Sequence, residues 1–158
     1  MTRPFVAKTP WSAERPDTLV VCCSDGRWHA PIIEFVHSEA CQRADLYAVP
    51  GGPAVLDGWN STFDEARAFG EGMRLFSKYH DLEHVWLIAH EGCAFYLEKH
   101  AHLDAEAIRR RQIEDLARAR ALLLERHSQF DVRLIYASRK EDTVRFEHCL
   151  ADSVERRT

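Results

Sequence analysis

The chain has 158 residues, 46% of them apolar and 29% charged, a balance that suits one soluble globular domain over residues 1–158. The net charge of −4 argues against a nucleic-acid-binding protein, and no apolar segment has the length of a membrane-spanning helix. The N-terminus shows no apolar signal-peptide core, so we expect a cytoplasmic location. Residues 1–16 contain three prolines and are expected to form an N-terminal arm.

Beyond the arm, apolar runs alternate with segments of helical periodicity. The predicted elements are, in chain order, a strand over Thr18–Cys23, a helix over Ala30–Cys41, a strand over Leu46–Val49, a helix over Thr62–Tyr79, a strand over Glu83–Ala89, a helix over Asp104–His127 and a strand over Val132–Ala137. Pro31 is expected in the first turn of its helix, and Pro50–Pro53, "PGGP", is expected to form no regular element. The tail from Glu141 fits either a last helix or an edge strand.

This alternation predicts an α/β fold with a mostly parallel central β-sheet of four to five strands and helices on both faces. In such sheets, sites form beyond the carboxyl ends of the strands. The polar or glycine-rich stretches Cys23–Arg27, Pro50–Pro53 and His90–Cys93 each follow one of the first three predicted strands. We therefore expect a site at this edge of the sheet.

The thiols and the imidazole at this edge indicate a metal site. His90 and Cys93 are spaced so that a tight turn brings both to one ion, and Cys23 ends a neighbouring strand. Two thiolates and one imidazole suit Zn²⁺, and three protein ligands leave a fourth position open, as in catalytic zinc sites. Metal binding also fits the five cysteines, an odd number, better than a disulfide framework does. Plain burial of the thiols is the alternative.

Asp25 and Arg27 lie two residues apart, so they point the same way if the chain stays extended. A neighbouring guanidinium keeps a carboxylate ionised. Such a carboxylate can accept a hydrogen bond from a metal-bound hydroxide or occupy the fourth metal position itself. The alternative is an ion pair in a loop that contributes little to stability.

These residues fit two motifs of the β-class carbonic anhydrases. Cys23–Arg27, "CSDGR", fits the family's C-x-D-x-R motif, and His90–Cys93, "HEGC", fits its H-x-x-C motif. The order of predicted strands and helices and the intervening glycine-rich turn are similar as well. The resemblance covers roughly residues 19 to 137, and the paired motifs are far more specific than either alone.

By this resemblance, Cys23, His90 and Cys93 bind zinc, and Asp25 and Arg27 form the catalytic dyad. The implied function is the reversible hydration of carbon dioxide to bicarbonate by zinc-bound hydroxide, in a homodimer or a higher homo-oligomer. The implied partner is a small-molecule substrate, with no nucleic acid and no membrane.

The chain departs from the family pattern in ways that keep alternatives open. Ala94 stands where members usually carry glycine, and Ala48 stands where the middle motif would place arginine. The N-terminal helical arm typical of the family's dimers is not evident. A zinc-binding protein without hydratase activity therefore remains an alternative, as does a hydrolase of a related small molecule such as carbonyl sulfide or carbon disulfide.

Other residues have plainer interpretations. Cys22 should face the core opposite Cys23, and burial is expected for Cys41 and Cys149 as well. The aromatic residues near the motifs are expected in the core more than in a substrate pocket; they are Trp28, Trp59, Phe95 and Tyr96. The acidic neighbours of Arg109–Arg111, among them Asp115, indicate a solvated helix face.

Overall fold

The fold is taken from a computed structural model that describes residues 4–40, 43–56 and 63–149. Its centre is a five-stranded sheet. The strands are β1 Thr18–Cys23, β2 Ala44–Val49, β3 His84–His90, β4 Asp131–Lys140 and β5 Thr143–His148. They lie in the order β2-β1-β3-β4-β5, with β5 antiparallel to β4 and the other neighbours parallel. This confirms the predicted fold class and makes the tail an edge strand rather than a helix.

Helices cover both faces of the sheet, as predicted. They are α1 Gly26–Ala40, α2 Phe63–Tyr79, α3 Ala94–Lys99 and α4 Ala105–Arg126. Because side chains alternate along a strand, β1 contributes side chains to a hydrophobic core on each face of the sheet. Val20 and Cys22 pack with Ile32 of α1 on one face, and Leu19 and Val21 pack with residues of α2 and α4 on the other. None of the helices in the described part of the chain is long and apolar enough to cross a membrane.

The first helix begins four residues earlier than predicted, at Gly26 instead of Ala30. Asp25 caps it, because its Oδ1 accepts a hydrogen bond from the backbone N–H of Arg27 at 3.1 Å. Pro31 consequently lies inside the helix rather than in its first turn. Since proline has no N–H, the carbonyl of Arg27 receives no intrahelical bond from this position.

The Pro-Gly-Gly-Pro stretch was expected to be irregular, but a 3-10 helix runs over Gly52–Leu56. Gly51 and Gly52 enter it with φ of 78° and 56°, in the left-handed region. A Cβ on Gly52 would lie 2.8 Å from the backbone of Cys22 and Cys23. The turn therefore lies directly against the end of β1, next to the predicted site. The predictions for Cys41, Trp59 and the start of α2 at Thr62 fall outside the described residues.

Candidate metal centre

The structure brings Cys23, His90 and Cys93 together at the carboxyl ends of the parallel strands. Cys23 is the last residue of β1, His90 is the last of β3, and Cys93 is the N-cap of α3. Their possible ligand atoms all lie within 4.8 Å of one another, and the two sulfurs are 3.8 Å apart. All three residues are buried, with 7%, 1% and 1% of their surface exposed. The juxtaposition expected from the strand order is thus present.

The imidazole of His90 presents a free lone pair to this cluster. Its Nδ1 lies 2.8 Å from the backbone oxygen of Glu91, which can only accept, so Nδ1 carries the proton. Its Nε2 is buried and makes no hydrogen bond among the described residues. A buried polar atom without a partner is costly, and a metal ion would satisfy it. The donor set therefore fits zinc in both chemistry and arrangement.

The sulfurs of Cys23 and Cys93 are hydrogen-bonded to each other, and their pKa values shift in opposite directions. The Cys93 thiol donates to the Cys23 sulfur and lowers the pKa of Cys23 to about 4, while the backbone N–H groups of Asp25 and Gly51 act in the same direction. The pKa of Cys93 is raised, because it is the donor and because it is buried.

Asp25 and Arg27 form a bidentate ion pair next to the cluster. Arg27 Nε lies 2.9 Å from Asp25 Oδ1, and Arg27 Nη2 lies 2.5 Å from Oδ2. The two meet because Asp25 caps α1 and Arg27 occupies its first turn, not because the chain is extended. Asp25 is not part of the three-residue cluster. The carboxylate is thus engaged by Arg27 in this conformation.

Arg27 lowers the pKa of Asp25 to about 2 from an ordinary value of 3.8, chiefly through the side-chain hydrogen bonds. Because this pKa is depressed, the stability it contributes is present above pH 3.8 and is lost as the pH falls through about 2. We expect Arg27→Gln to raise the pKa of Asp25 towards 3.8. Carboxyl-carbon NMR titration measures this shift, with Arg74→Gln as a control at another exposed arginine, which pairs with Glu71 of its own helix. An unchanged Asp25 pKa in Arg27→Gln would contradict the bidentate pair.

Residues that flank the motifs take structural positions. The ring of Trp28 packs against that of His90 at 4.7 Å, and His29 donates from Nε2 to the Cys23 carbonyl at 3.1 Å. Cys22 is fully buried, as predicted, in the core under α1. Cys149 is half-buried at the end of β5.

Sequence reasoning missed the support that α4 gives to this centre. Asp115, expected on a solvated face, is 1% exposed, and Gln112 is buried to the same extent. Ile108 packs in a small core with Cys23 and Cys93. The spacing of Ile108, Gln112 and Asp115 at i, i+4 and i+7 places them on one helix face. That spacing is a signal the sequence carries, but the surrounding arginines obscured it.

A cleft of about 300 Å³ opens beside the centre. Arg27 and Trp28 line one side of it, Glu91 and Gly92 come from the turn between the ligands, and Arg139 comes from β4. Arg139 is tied to Glu91, whose carboxylate accepts from the Arg139 backbone N–H at 2.8 Å. The cleft brings two guanidinium groups close to the turn that carries His90 and Cys93, whereas none of the three candidate ligands lines it.

Comparison with solved structures identifies the architecture. A β-carbonic anhydrase of the fungal pathogen Aspergillus fumigatus, CafA, superposes with a TM-score of 0.56 at 14% identity, covering 87% of this chain and 77% of that one. The tetrameric β-carbonic anhydrases of the ascomycete Sordaria macrospora give 0.54 at 13% identity, covering 87% and 83%. The chain has the β-carbonic anhydrase fold.

The overall sequence identity to these structures is low. An isoform I β-carbonic anhydrase from the protozoan Trichomonas vaginalis gives a TM-score of 0.50 at 10% identity, covering 89% of this chain and 87% of that one. No protein-family model matches the chain, and no curated protein matches it. The β-carbonic anhydrase fold is therefore carried here by a strongly divergent sequence.

Proposed function

We propose that the protein is a zinc-dependent, carbonic anhydrase-like lyase that interconverts carbon dioxide and bicarbonate. The observation that carries the proposal is the buried His90 Nε2, which has no hydrogen bond among the described residues and faces two thiols within 4.8 Å. This cluster lies beside an ionised carboxylate in the β-carbonic anhydrase fold. The fold alone would not support the proposal, because one fold can host unrelated functions.

Cys23, His90 and Cys93 are the residues that would hold the ion. When bound, zinc supplies Lewis-acid chemistry that makes hydroxide available near neutral pH. Of the two sulfurs, Cys23 has the lowered pKa and Cys93 the raised one, and the Nε2 lone pair of His90 is free, so zinc binding would have to displace the proton of Cys93 in particular. Trp28 packs on the imidazole and restricts its orientation.

Asp25 would act as a hydrogen-bond acceptor beside the metal, and Arg27 would keep it there. The low pKa of Asp25 keeps the carboxylate ionised across the neutral range, so it can accept a hydrogen bond at any working pH. The bidentate contact with Arg27 also occupies both carboxylate oxygens. This favours an acceptor role for Asp25 over the role of a fourth ligand.

The second candidate is a zinc-binding protein of this fold without hydratase activity. The observation that favours it is access: the three candidate ligands are nearly fully buried, and none lines the 300 Å³ cleft. The departures from the family motifs at Ala48 and Ala94 also favour a protein without hydratase activity. A hydrolase of carbonyl sulfide or carbon disulfide would use the same three metal ligands.

Stopped-flow hydration of carbon dioxide by zinc-loaded protein tests the first candidate. We expect a rate well above buffer that rises with pH through the neutral range, and a large loss in Asp25→Asn, which keeps the shape of the side chain but removes its charge. Glu141→Gln, a carboxylate at the β4–β5 turn, is the matched control. Hydration no faster than buffer, with one zinc bound per chain, would exclude the hydratase and leave the second candidate.

We also propose that the protein works as a homo-oligomer. The support is that the Sordaria macrospora structures are tetrameric and that Phe5 and Trp11 of the arm are 92% and 87% exposed in the single chain. Large exposed apolar groups are typical of surfaces that another chain covers. Light scattering of the purified protein would measure the state, and a monomer at high concentration would contradict this proposal.

A further inference from the structure

The buried polar residues of α4 call for a physical explanation. Gln112 and Asp115 are both 1% exposed, on a helix whose other buried residues are mainly apolar. Burying an amide or a carboxylate is costly unless it is hydrogen-bonded or paired with charge. The Nε2 of Gln112 and the Oδ2 of Asp115 find partners in the segment that carries two of the candidate metal ligands, whereas the Oε1 of Gln112 has no partner among the described residues.

Gln112 holds the chain at the first ligand. Its Nε2 donates to the backbone oxygen of His90 at 3.0 Å. The next carbonyl, that of Glu91, accepts the Nδ1 proton of His90 and so sets which imidazole nitrogen is free. The backbone N–H of Glu91 also donates to Ala137 of β4. Gln112 and Ala137 therefore fix the peptide between His90 and Glu91, which directly precedes the carbonyl that sets the tautomer of His90.

Asp115 holds the chain just beyond the second ligand. Its Oδ2 accepts from the hydroxyl of Tyr96 at 2.9 Å, three residues after Cys93. Arg118 pairs with Oδ1, and Arg111 Nε lies 3.3 Å from the same oxygen. Two guanidinium groups thus compensate the buried charge, and the carboxylate is available to orient Tyr96.

The two contacts bracket the ligand-bearing segment. Residues 90–96 are tied to α4 at His90 and at Tyr96, and Ile108 of the same helix packs in one cluster with Cys23 and Cys93. We propose that Gln112 and Asp115 are positioning residues that hold His90 and Cys93 in the arrangement of a single metal site. This rests on the metal-binding part of the proposed function and does not depend on carbon dioxide hydration.

Two variants that each remove one contact test the proposal. Tyr96→Phe removes only the hydroxyl that Asp115 holds, and Gln112→Met removes the donor to His90 at similar volume. Tyr47→Phe is the control, since it removes a hydroxyl from a ring that packs on Phe69 of α2. Zinc affinity is measured by competition with a chromophoric chelator. The ligand geometry is read from the thiolate-to-metal and ligand-field bands of the Co²⁺-loaded protein.

We expect Tyr96→Phe and Gln112→Met each to weaken zinc binding about 10- to 100-fold and to alter the Co²⁺ bands, as loss of a residue that orients a metal ligand does. Tyr47→Phe should leave both unchanged. If Gln112→Met fails to fold, Tyr96→Phe decides alone. Wild-type affinity and spectra in Tyr96→Phe would overturn the proposal, as would equal weakening by Tyr47→Phe. Absence of hydration in a wild-type protein that binds zinc would overturn only the hydratase.

Discussion

Replacing Cys93 by serine is expected to abolish stoichiometric zinc binding. The Cys93 sulfur lies 3.8 Å from that of Cys23 and is 1% exposed, so no solvent ligand can take its place without local rearrangement. A serine hydroxyl is a much poorer zinc ligand than a thiolate. Since loss of a residue that only orients a ligand already costs about 10- to 100-fold in metal affinity, loss of a ligand should exceed about 100-fold.

Elemental analysis after dialysis measures this effect, with about one zinc per chain expected for the wild-type protein. Cys149→Ser is the matched control, because Cys149 is a half-buried free cysteine outside the cluster. We expect that control to keep its zinc. Full zinc in Cys93→Ser would show that the ion binds elsewhere, and equal loss in both variants would point to damage of the fold.

The main features of the candidate site follow from the sequence because they depend only on strand order. Parallel strands place their carboxyl ends on one edge, so Cys23 at the end of β1 and His90 at the end of β3 had to come close once both strands were recognised. The H-x-x-C spacing then brought Cys93 to the same place. Buried strands with near-continuous apolar runs are the elements that a sequence specifies most clearly.

The parts that were missed depend on side-chain capping and on charge pairing. Asp25 was expected on an extended chain, but its carboxylate caps a helix that starts at once, which a glycine at position 26 concealed. Asp115 was expected in solvent because arginines surround it, yet it is buried, and the half-buried Arg111 and Arg118 pair with its carboxylate. In both cases a hydrogen-bond or ion-pair partner determines where the polar side chain lies. The periodicity of the apolar residues does not identify that partner.

The turn after β2 was also predicted incompletely, for a related reason. Adjacent glycines and prolines were interpreted as a break in regular structure, whereas Gly51 and Gly52 adopt positive φ and lead into a 3-10 helix. Gly52 lies against the backbone of Cys22 and Cys23, and Gly51 lies against the ring of Phe95. A Cβ at either position would clash with these atoms. Such a contact is between residues far apart in the chain and cannot be inferred from local composition.

Replacing Gly52 by alanine is therefore expected to be strongly destabilising. The new methyl group would lie 2.8 Å from the carbonyl carbon of Cys22 and from the nitrogen of Cys23, both backbone atoms of a central strand. The φ of 56° adds a cost of about 1–2 kcal/mol for a residue with a Cβ. Overpacking adds about 1–3 kcal/mol, so the free energy of unfolding should fall by about 2–5 kcal/mol.

Gly70→Ala also adds a methyl group, but at this position the structure predicts an increase in the free energy of unfolding. Gly70 lies within α2, and a Cβ there meets no atom within 4 Å. Alanine should raise the free energy of unfolding there by about 0.5–1 kcal/mol, because glycine is a poor helix former. Urea denaturation of the metal-free proteins measures both changes. Equal stability of the two variants would show that the turn at Gly52 can move away from β1, and Cys23 would then not be held in place by it.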